Sequence, residues 1–200
     1  MLKKYNLEIM TVIFSCTIII SLVFGKQLGS IQRIMLGYMF LFTLHEWEEI
    51  RVPGGFANLM VKFFGVKVNS EQIAAAHIPV AVLLLVITFI PFFTQLPILA
   101  LVPIYLGLFE AFIHIVGIKL HKMNKPYTPG MVTGIILGVT SVLVLGFYSK
   151  EQLLSVSGYL CGIPLTIICF FAMQRTVLAI YGLGYKYVIA NVKKKFKGSV

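Results

Sequence analysis

The chain has 200 residues, 58% of them hydrophobic, and a mean hydropathy of +0.93, which excludes an ordinary soluble globular protein and points to a membrane protein. Seventeen Lys and Arg stand against seven Glu and no Asp, a net charge of +10. The basic residues are spread over loops and a tail, as topology and anionic lipid headgroups require, so the partners expected are membrane lipids and not nucleic acid.

Six hydrophobic spans are predicted. The first, about Leu7 to Gly25, follows a short basic start and lacks a small-x-small cleavage site, so it reads as a transmembrane helix rather than a signal peptide. The second runs from about Ile31 to Glu49 and the third from about Glu71 to Phe93. The fourth is about Leu96 to Leu120, with Pro97 in its first turn, where proline is tolerated. The fifth is about Met131 to Tyr148 and the sixth about Gln152 to Met173. Each is close to the roughly 20 residues that a slab of about 30 Å needs. The expected fold is all-α: one polytopic transmembrane bundle over residues 1–200, with no soluble domain and no internal repeat. Cys16, Cys161 and Cys169 fall inside these spans, form no C-x-x-C pair, and are expected to act as small buried apolar residues.

Two further segments look interfacial. "VPGGFANLMVKFFGVKVNS" places Phe56, Leu59, Met60, Phe63 and Phe64 at near-helical spacing with Lys62 and Lys67 between them. The tail from Arg175 mixes aromatic and apolar residues with a terminal Lys cluster. Both suit amphipathic helices lying in a membrane surface.

Basic residues orient the chain. Lys3, Lys4, Arg51, Lys62, Lys67, Lys119, Lys122, Lys125, Arg175, Lys186, Lys193, Lys194, Lys195 and Lys197 fall on one side, 14 in all, against Lys26, Arg33 and Lys150 on the other. Both termini are therefore expected in the cytoplasm, with the protein integral to a bacterial cytoplasmic membrane.

That orientation gives the polar residues depths. His45 lies six residues before Arg51 and His77 six after Glu71, each roughly 9 Å along its helix. His114 and Glu110 lie roughly 8 and 14 Å from Lys119. Three helices thus carry ionisable groups to one layer in the cytoplasmic half, where such groups are costly and face a bundle interior or a wet cavity. His45, Glu48 and Glu49 share a helix face as i, i+3 and i+4, and so do Glu110 and His114 as i and i+4; Glu46 points off that face. Pro79 leaves the Ala75 carbonyl without its helical donor, and a kink there would aim His77 inward.

Imidazoles and carboxylates form an N,O set suited to zinc, iron or manganese. Facing helices with Glu and His at these spacings are also how bundles build di-metal sites. The expected ligands of one or two divalent ions, zinc or iron foremost, are His45, Glu49, His77, Glu110 and His114, with Glu48 a further ligand or general base and Glu49 also catalytic. A hydrogen-bond network that only pins the helices, or a proton relay, is the alternative. "NKPYTPG" at Asn124–Gly130 reads as a rigid turn, from which Asn124 or Tyr127 could fold back onto the polar layer as a hydrogen-bond partner or substrate contact. His121 reads as a solvated loop histidine.

"HEWEE" at His45–Glu49, His77, "EAFIH" at Glu110–His114 and "PYTPGMVT" at Pro126–Thr133 together resemble the bacterial integral-membrane family named for its HXXEE motif. The resemblance covers roughly His45 to Thr133. It implies that His45, Glu48, Glu49, His77, Glu110, His114, Tyr127, Pro129, Gly130 and Thr133 belong together, and it supplies no activity, since that family is of uncharacterised function. The paired glutamates are similar in chemistry to the E-E-x-x-x-R motif of CAAX-processing membrane proteases. Arg51 stands too close to match that pattern, and Glu110 and Lys125 stand where it has Phe and Asn.

Three functions are open to this pattern, the first of them the one expected. One is a metal-dependent membrane enzyme that hydrolyses, or with iron oxidises, a lipid or membrane-embedded substrate. The others are a metal-ion or proton transporter and a non-catalytic binding or immunity protein; the outer half of the spans offers mainly Ser, Thr and Tyr and no matching ionisable exit, which weighs against transport.

Overall fold

The computed structural model describes residues 2–25, 27–121 and 123–197. Lys26 and Lys122, both used in the charge count, lie outside the described residues, as do the side chains of Lys3, Lys4, Lys194, Lys195 and Lys197. The described chain forms eight helices: α1 Leu2–Phe24, α2 Ser30–Ile50, α3 Phe56–Phe64, α4 Ser70–Thr94, α5 Pro97–Leu120, α6 Met131–Lys150, α7 Val156–Ile180 and α8 Tyr185–Lys197. No strand occurs among the described residues.

Five helices, α1, α4, α5, α6 and α7, are long and apolar enough to cross a membrane, which makes this a transmembrane helical bundle. α2 has the length, at 21 residues, but not the composition, because Arg33, Glu46, Glu48 and Glu49 share it. The second expected span is thus a helix sheltered by protein. It packs against α1, α4 and α6, and His45, Glu46 and Glu48 are all buried in it.

Local chemistry explains the boundaries. Asn69 caps α4 by accepting from Gln72 N–H at 2.8 Å, while the Gln72 side chain accepts from Asn69 N–H at 3.0 Å. Pro97 opens α5 in its first turn. The last span differs from expectation. The turn after α6 closes through Leu153 N–H to Tyr148 C=O at 3.1 Å, and Ser155 then caps α7, so the helix starts at Val156 rather than Gln152. It continues through Gln174 and Arg175 to Ile180, because those residues leave the apolar slab without breaking a helix; the break comes at Gly182, with φ +69°. α8 is the basic C-terminal helix that the tail predicted.

α5 and α6 approach closely through small residues. A Cβ on Gly138 would meet Ala111 Cβ at 2.5 Å, and one on Gly107 would meet Ser141 Oγ at 2.5 Å. Gly134, Gly138 and Ser141 on one helix, with Gly107 and Ala111 on the other, form a small-residue seam of the kind that lets membrane helices touch backbone to backbone. Across α2 and α6, the buried Tyr38 hydroxyl pairs with Ser141 Oγ at 2.7 Å. Outside this core, α1 is fastened by Trp47 Nε1–H to Thr11 Oγ1 at 2.9 Å and by an exposed Arg51–Glu8 ion pair at 2.7 Å.

The cysteines correct one expectation. Cys16 and Cys161 are exposed on the outside of the bundle and Cys169 is half-buried. The apolar phase that hosts the first two is lipid, not the protein core.

Candidate metal centre

Three helices build the site: the C-terminal third of α2, the C-terminal half of α5 and the first turn of α6. His45, Glu49, Glu110 and His114 each offer one ligand atom, and these four atoms all lie within 4.8 Å of one another. They alternate around a ring. His45 Nε2 is 3.7 Å from Glu49 Oε1, which is 3.1 Å from His114 Nε2. His114 Nε2 is 3.7 Å from Glu110 Oε2, which returns to His45 Nε2 at 3.5 Å. The imidazole rings stand edge to face, 5.2 Å apart and at 83°.

The remaining hydrogen bonds fix which ring nitrogen faces the centre. Thr133 donates its hydroxyl proton to Glu48 Oε2, so its oxygen, 3.0 Å from His45 Nδ1, accepts Nδ1–H from the ring. Thr128 donates its hydroxyl to the His114 backbone carbonyl at 3.2 Å, and at 3.1 Å accepts Nδ1–H from the His114 ring. Both imidazoles thereby turn an unprotonated Nε2 inward, the tautomer a metal-binding histidine held by an outer partner adopts. His114 Nε2 is buried and makes no hydrogen bond of its own. The centre is four nitrogen and oxygen atoms facing one another at 3.1–3.7 Å around the ring. Such a set repels itself in a low-dielectric interior unless a cation joins it.

Distance agrees with chemistry. A tetrahedral ion with bonds of 2.0–2.2 Å places its ligands about 3.3–3.6 Å apart, and the four ring edges span 3.1–3.7 Å. The widest separation puts its midpoint about 2.4 Å from each of the two atoms, half of 4.8 Å, so closure on an ion needs shifts of a few tenths of an ångström.

Glu48 has another place. Its Oε1 accepts from Tyr127 O–H at 2.9 Å and Val132 N–H at 3.1 Å; its Oε2 accepts from Thr133 N–H at 2.8 Å and from the Thr133 hydroxyl. The carboxylate therefore sits on the N-terminus of α6, where free amide donors and the helix dipole favour an anion. The expectation of Glu48 as ligand or general base gives way to that of a clamp, because both oxygens are already taken. Burial, and next the Glu48 carboxylate beside it, push the Tyr127 phenol up to about 12 and hold it as a donor.

His77 is the second correction. It is half-buried on α4 and does not join the four-atom group, and the charged neighbour it feels is Arg51. α2, α5 and α6 enclose the centre, whereas His77 stands on α4, which runs on through Pro79 as one helix. Asn124 stays exposed in the turn, whereas Tyr127 and Thr133 reach the site through Glu48. His121 is not a solvated loop residue: it caps α5, half-buried, with its ring 5.0 Å from that of Phe63.

Thr128 and Glu46 were not expected at the site, and for Gly130, which the family resemblance grouped with it, the physical reason is now plain. Thr128 holds His114 from inside the proline-rich turn. Gly130 has φ +89°, and a Cβ there would meet Glu49 Cγ and His114 Cε1 at 2.7 Å each, so only glycine lets the start of α6 close over the ligands. Glu46 is buried after all, within electrostatic reach of His45, Glu49 and Glu110. The four-residue spacing of Gly130, Gly134 and Gly138 was the signal for the close approach of α6; nothing in a single sequence distinguishes Thr128 from any other turn threonine.

Fold and site define a polytopic helical membrane protein with a buried His/Glu cluster that could hold a metal ion. The family model described as "protein of unknown function with HXXEE motif" matches residues 36–145, and the chain belongs to that family. Comparison with curated proteins gave no match, and comparison with solved structures gave none.

Proposed function

We propose that this protein is a divalent-metal-dependent membrane enzyme, with hydrolysis as its reaction. The observation that carries the reading is the centre itself: four lone-pair atoms from His45, Glu49, Glu110 and His114 converge, and Thr133 and Thr128 hold both imidazoles in the metal-binding tautomer. Glu46, Glu49 and Glu110 bring a formal charge of about −3 into a low-dielectric region, which one divalent ion reduces and a second ion or a proton brings nearer neutrality.

When bound, such an ion supplies a Lewis acid and a water of lowered pKa. This chain's own groups do the rest. The imidazoles form the buried wall, with His45 at 3% exposure; the carboxylates form the open one, with Glu49 at 12% and Glu110 at 18%. Substrate therefore approaches on the carboxylate side. Glu49, which uses Oε1 toward the imidazoles, has Oε2 to take a proton from the attacking water. Addition of that water across an ester and departure of the alcohol leave an acid and an alcohol, with the proton passing from water to the leaving oxygen. One ion is enough for this reaction, and the four converging atoms could hold one.

The test is thermal melting of wild type, His114→Ala and Glu110→Ala in detergent, each with chelator and with zinc, iron or manganese. Wild type should melt lower with chelator and recover with metal, and the variants should respond to neither. A wild type indifferent to all additions would leave the hydrogen-bond network as the account of the cluster.

A further inference from the structure

α3 is the element that covers His114, one of the four residues of the centre. It runs beside the last two turns of α5, and two ring contacts seven residues apart on each helix mark its path: Phe56 on His114 with centroids at 5.1 Å, and Phe63 on His121 at 5.0 Å. No residue of α3 is fully buried, and its helix neighbours are α2 and α8. α8 holds its far end through Asn191 Nδ2–H to the Phe64 carbonyl at 2.8 Å. Left-handed glycines, Gly55 at φ +100° and Gly65 at φ +65°, bracket the helix, with open space where a Cβ would stand at either. One face of α3 is apolar and aromatic, and Lys62 stands exposed opposite. Such a helix lies in a membrane surface with its apolar face down, and here that face rests on a ligand histidine.

Depth sets what can reach the centre. His45 is five residues from the end of α2 and His114 six from the end of α5, roughly 8–9 Å inside the helix termini. With the helix ends at the outer edge of a polar layer about 5–8 Å thick, the ligands would lie just below it, where a phospholipid carries its ester linkages. Charge sets what is held there. Lys62 and Lys67 around α3, and Lys119 and Lys125 at the end of α5, are all exposed. On this stretch of surface Glu8 is paired with Arg51, and Glu71 is the one exposed carboxylate near these four lysines among the described residues.

Resting on the metal-enzyme reading above, we infer that the substrate is an anionic glycerophospholipid that enters laterally beneath α3, its phosphate held by the lysines around α3 and α5 and its ester linkages at the depth of the His/Glu centre. Phe56 is the piece that lifts or turns to admit it. A water-soluble ester or a free phosphate has no chains to hold it under an apolar helix face.

The test uses the full chain in neutral detergent micelles, loaded with Mn2+, which the N,O set accepts and which relaxes phosphorus nuclei close to it. The free-Mn2+ electron resonance signal first reports binding. Phosphorus-31 relaxation is then measured for phosphatidylglycerol, for phosphatidylcholine and for soluble glycerol phosphate. Phosphatidylglycerol should relax at least fivefold faster than the other two, and the doubly substituted Lys62→Glu, Lys119→Glu protein should lose that difference while still binding Mn2+. Equal relaxation of both lipids, or of neither, with Mn2+ bound would overturn the inference and leave the metal reading standing. Relaxation of glycerol phosphate as strong as that of the lipid would assign the site to a free phosphate and overturn it as well. Failure to bind Mn2+ would remove both.

Discussion

Replacing Thr133 by valine keeps the outline of the side chain and deletes one hydroxyl. That hydroxyl joins His45 Nδ1, at 3.0 Å, to Glu48 Oε2. Glu48 keeps its bonds from Tyr127, Val132 N–H and Thr133 N–H, so the group left without a partner is the His45 Nδ1–H. An unmet buried donor costs about 1–3 kcal/mol. At about 2–4 °C per kcal/mol for a chain of this size, the metal-free protein should melt roughly 2–12 °C lower. Metal affinity should fall roughly 10–100-fold, the usual consequence of removing the outer partner of a ligating imidazole. Calorimetric titration of the detergent-purified Thr133→Val protein with Zn2+ or Mn2+ reads the second effect separately from the first. Thr133→Ser restores the hydroxyl and should restore most of the affinity. Wild-type affinity in Thr133→Val would refute the claim that this hydroxyl orients His45 for a metal.

Gly130→Ala should cost about 1–2 kcal/mol in backbone strain alone, and its Cβ, placed 2.7 Å from Glu49 Cγ and His114 Cε1, should displace the ligands; a melting point down by several degrees together with lost metal binding would bear this out, and unchanged metal stoichiometry would contradict it. His77→Ala should leave metal stoichiometry at the wild-type value, as checked by elemental analysis, because His77 stands outside the four-atom group. A reporter active only outside the cytoplasm, fused after residue 200, should be silent, given the 14-to-3 bias of basic residues; a strong signal would reverse the orientation.

Much of this architecture was legible because hydrophobic runs of about 20 residues have few alternatives, and α1, α4, α5 and α6 begin or end within a few residues of where composition places them. α2 was harder. Its C-terminal third is too polar for lipid, and only packing against α1, α4 and α6 makes it tenable. Within the site, i and i+4 spacing placed His45 with Glu49 and Glu110 with His114, since one helix face fixes such pairs without any knowledge of the fold. Depth along a helix proved a weaker guide than face. His77 shares the depth of the others, but depth says nothing of the direction around the helix axis in which a side chain leaves. Glu46 failed the converse way: off the ligand face of α2, it is buried by neighbouring helices that its own sequence cannot reveal. Glu48 matched the ligand spacing, yet the start of α6, some eighty residues onward, captures both its oxygens. No periodicity in α2 encodes that event.

The central claim is that the His/Glu centre binds a divalent ion, and elemental analysis of the detergent-purified wild type beside His114→Ala tests it most directly. Purified without chelator and then exposed to zinc, iron or manganese, wild type should retain one ion per chain after desalting, or two if Glu46 helps to hold a second, and His114→Ala should retain none. Ion binding at a hundredfold excess over Kd would also stabilise the wild type by about 2.7 kcal/mol. A wild type that retains no ion under any of these conditions, or a His114→Ala variant that retains as much as wild type, would contradict the account.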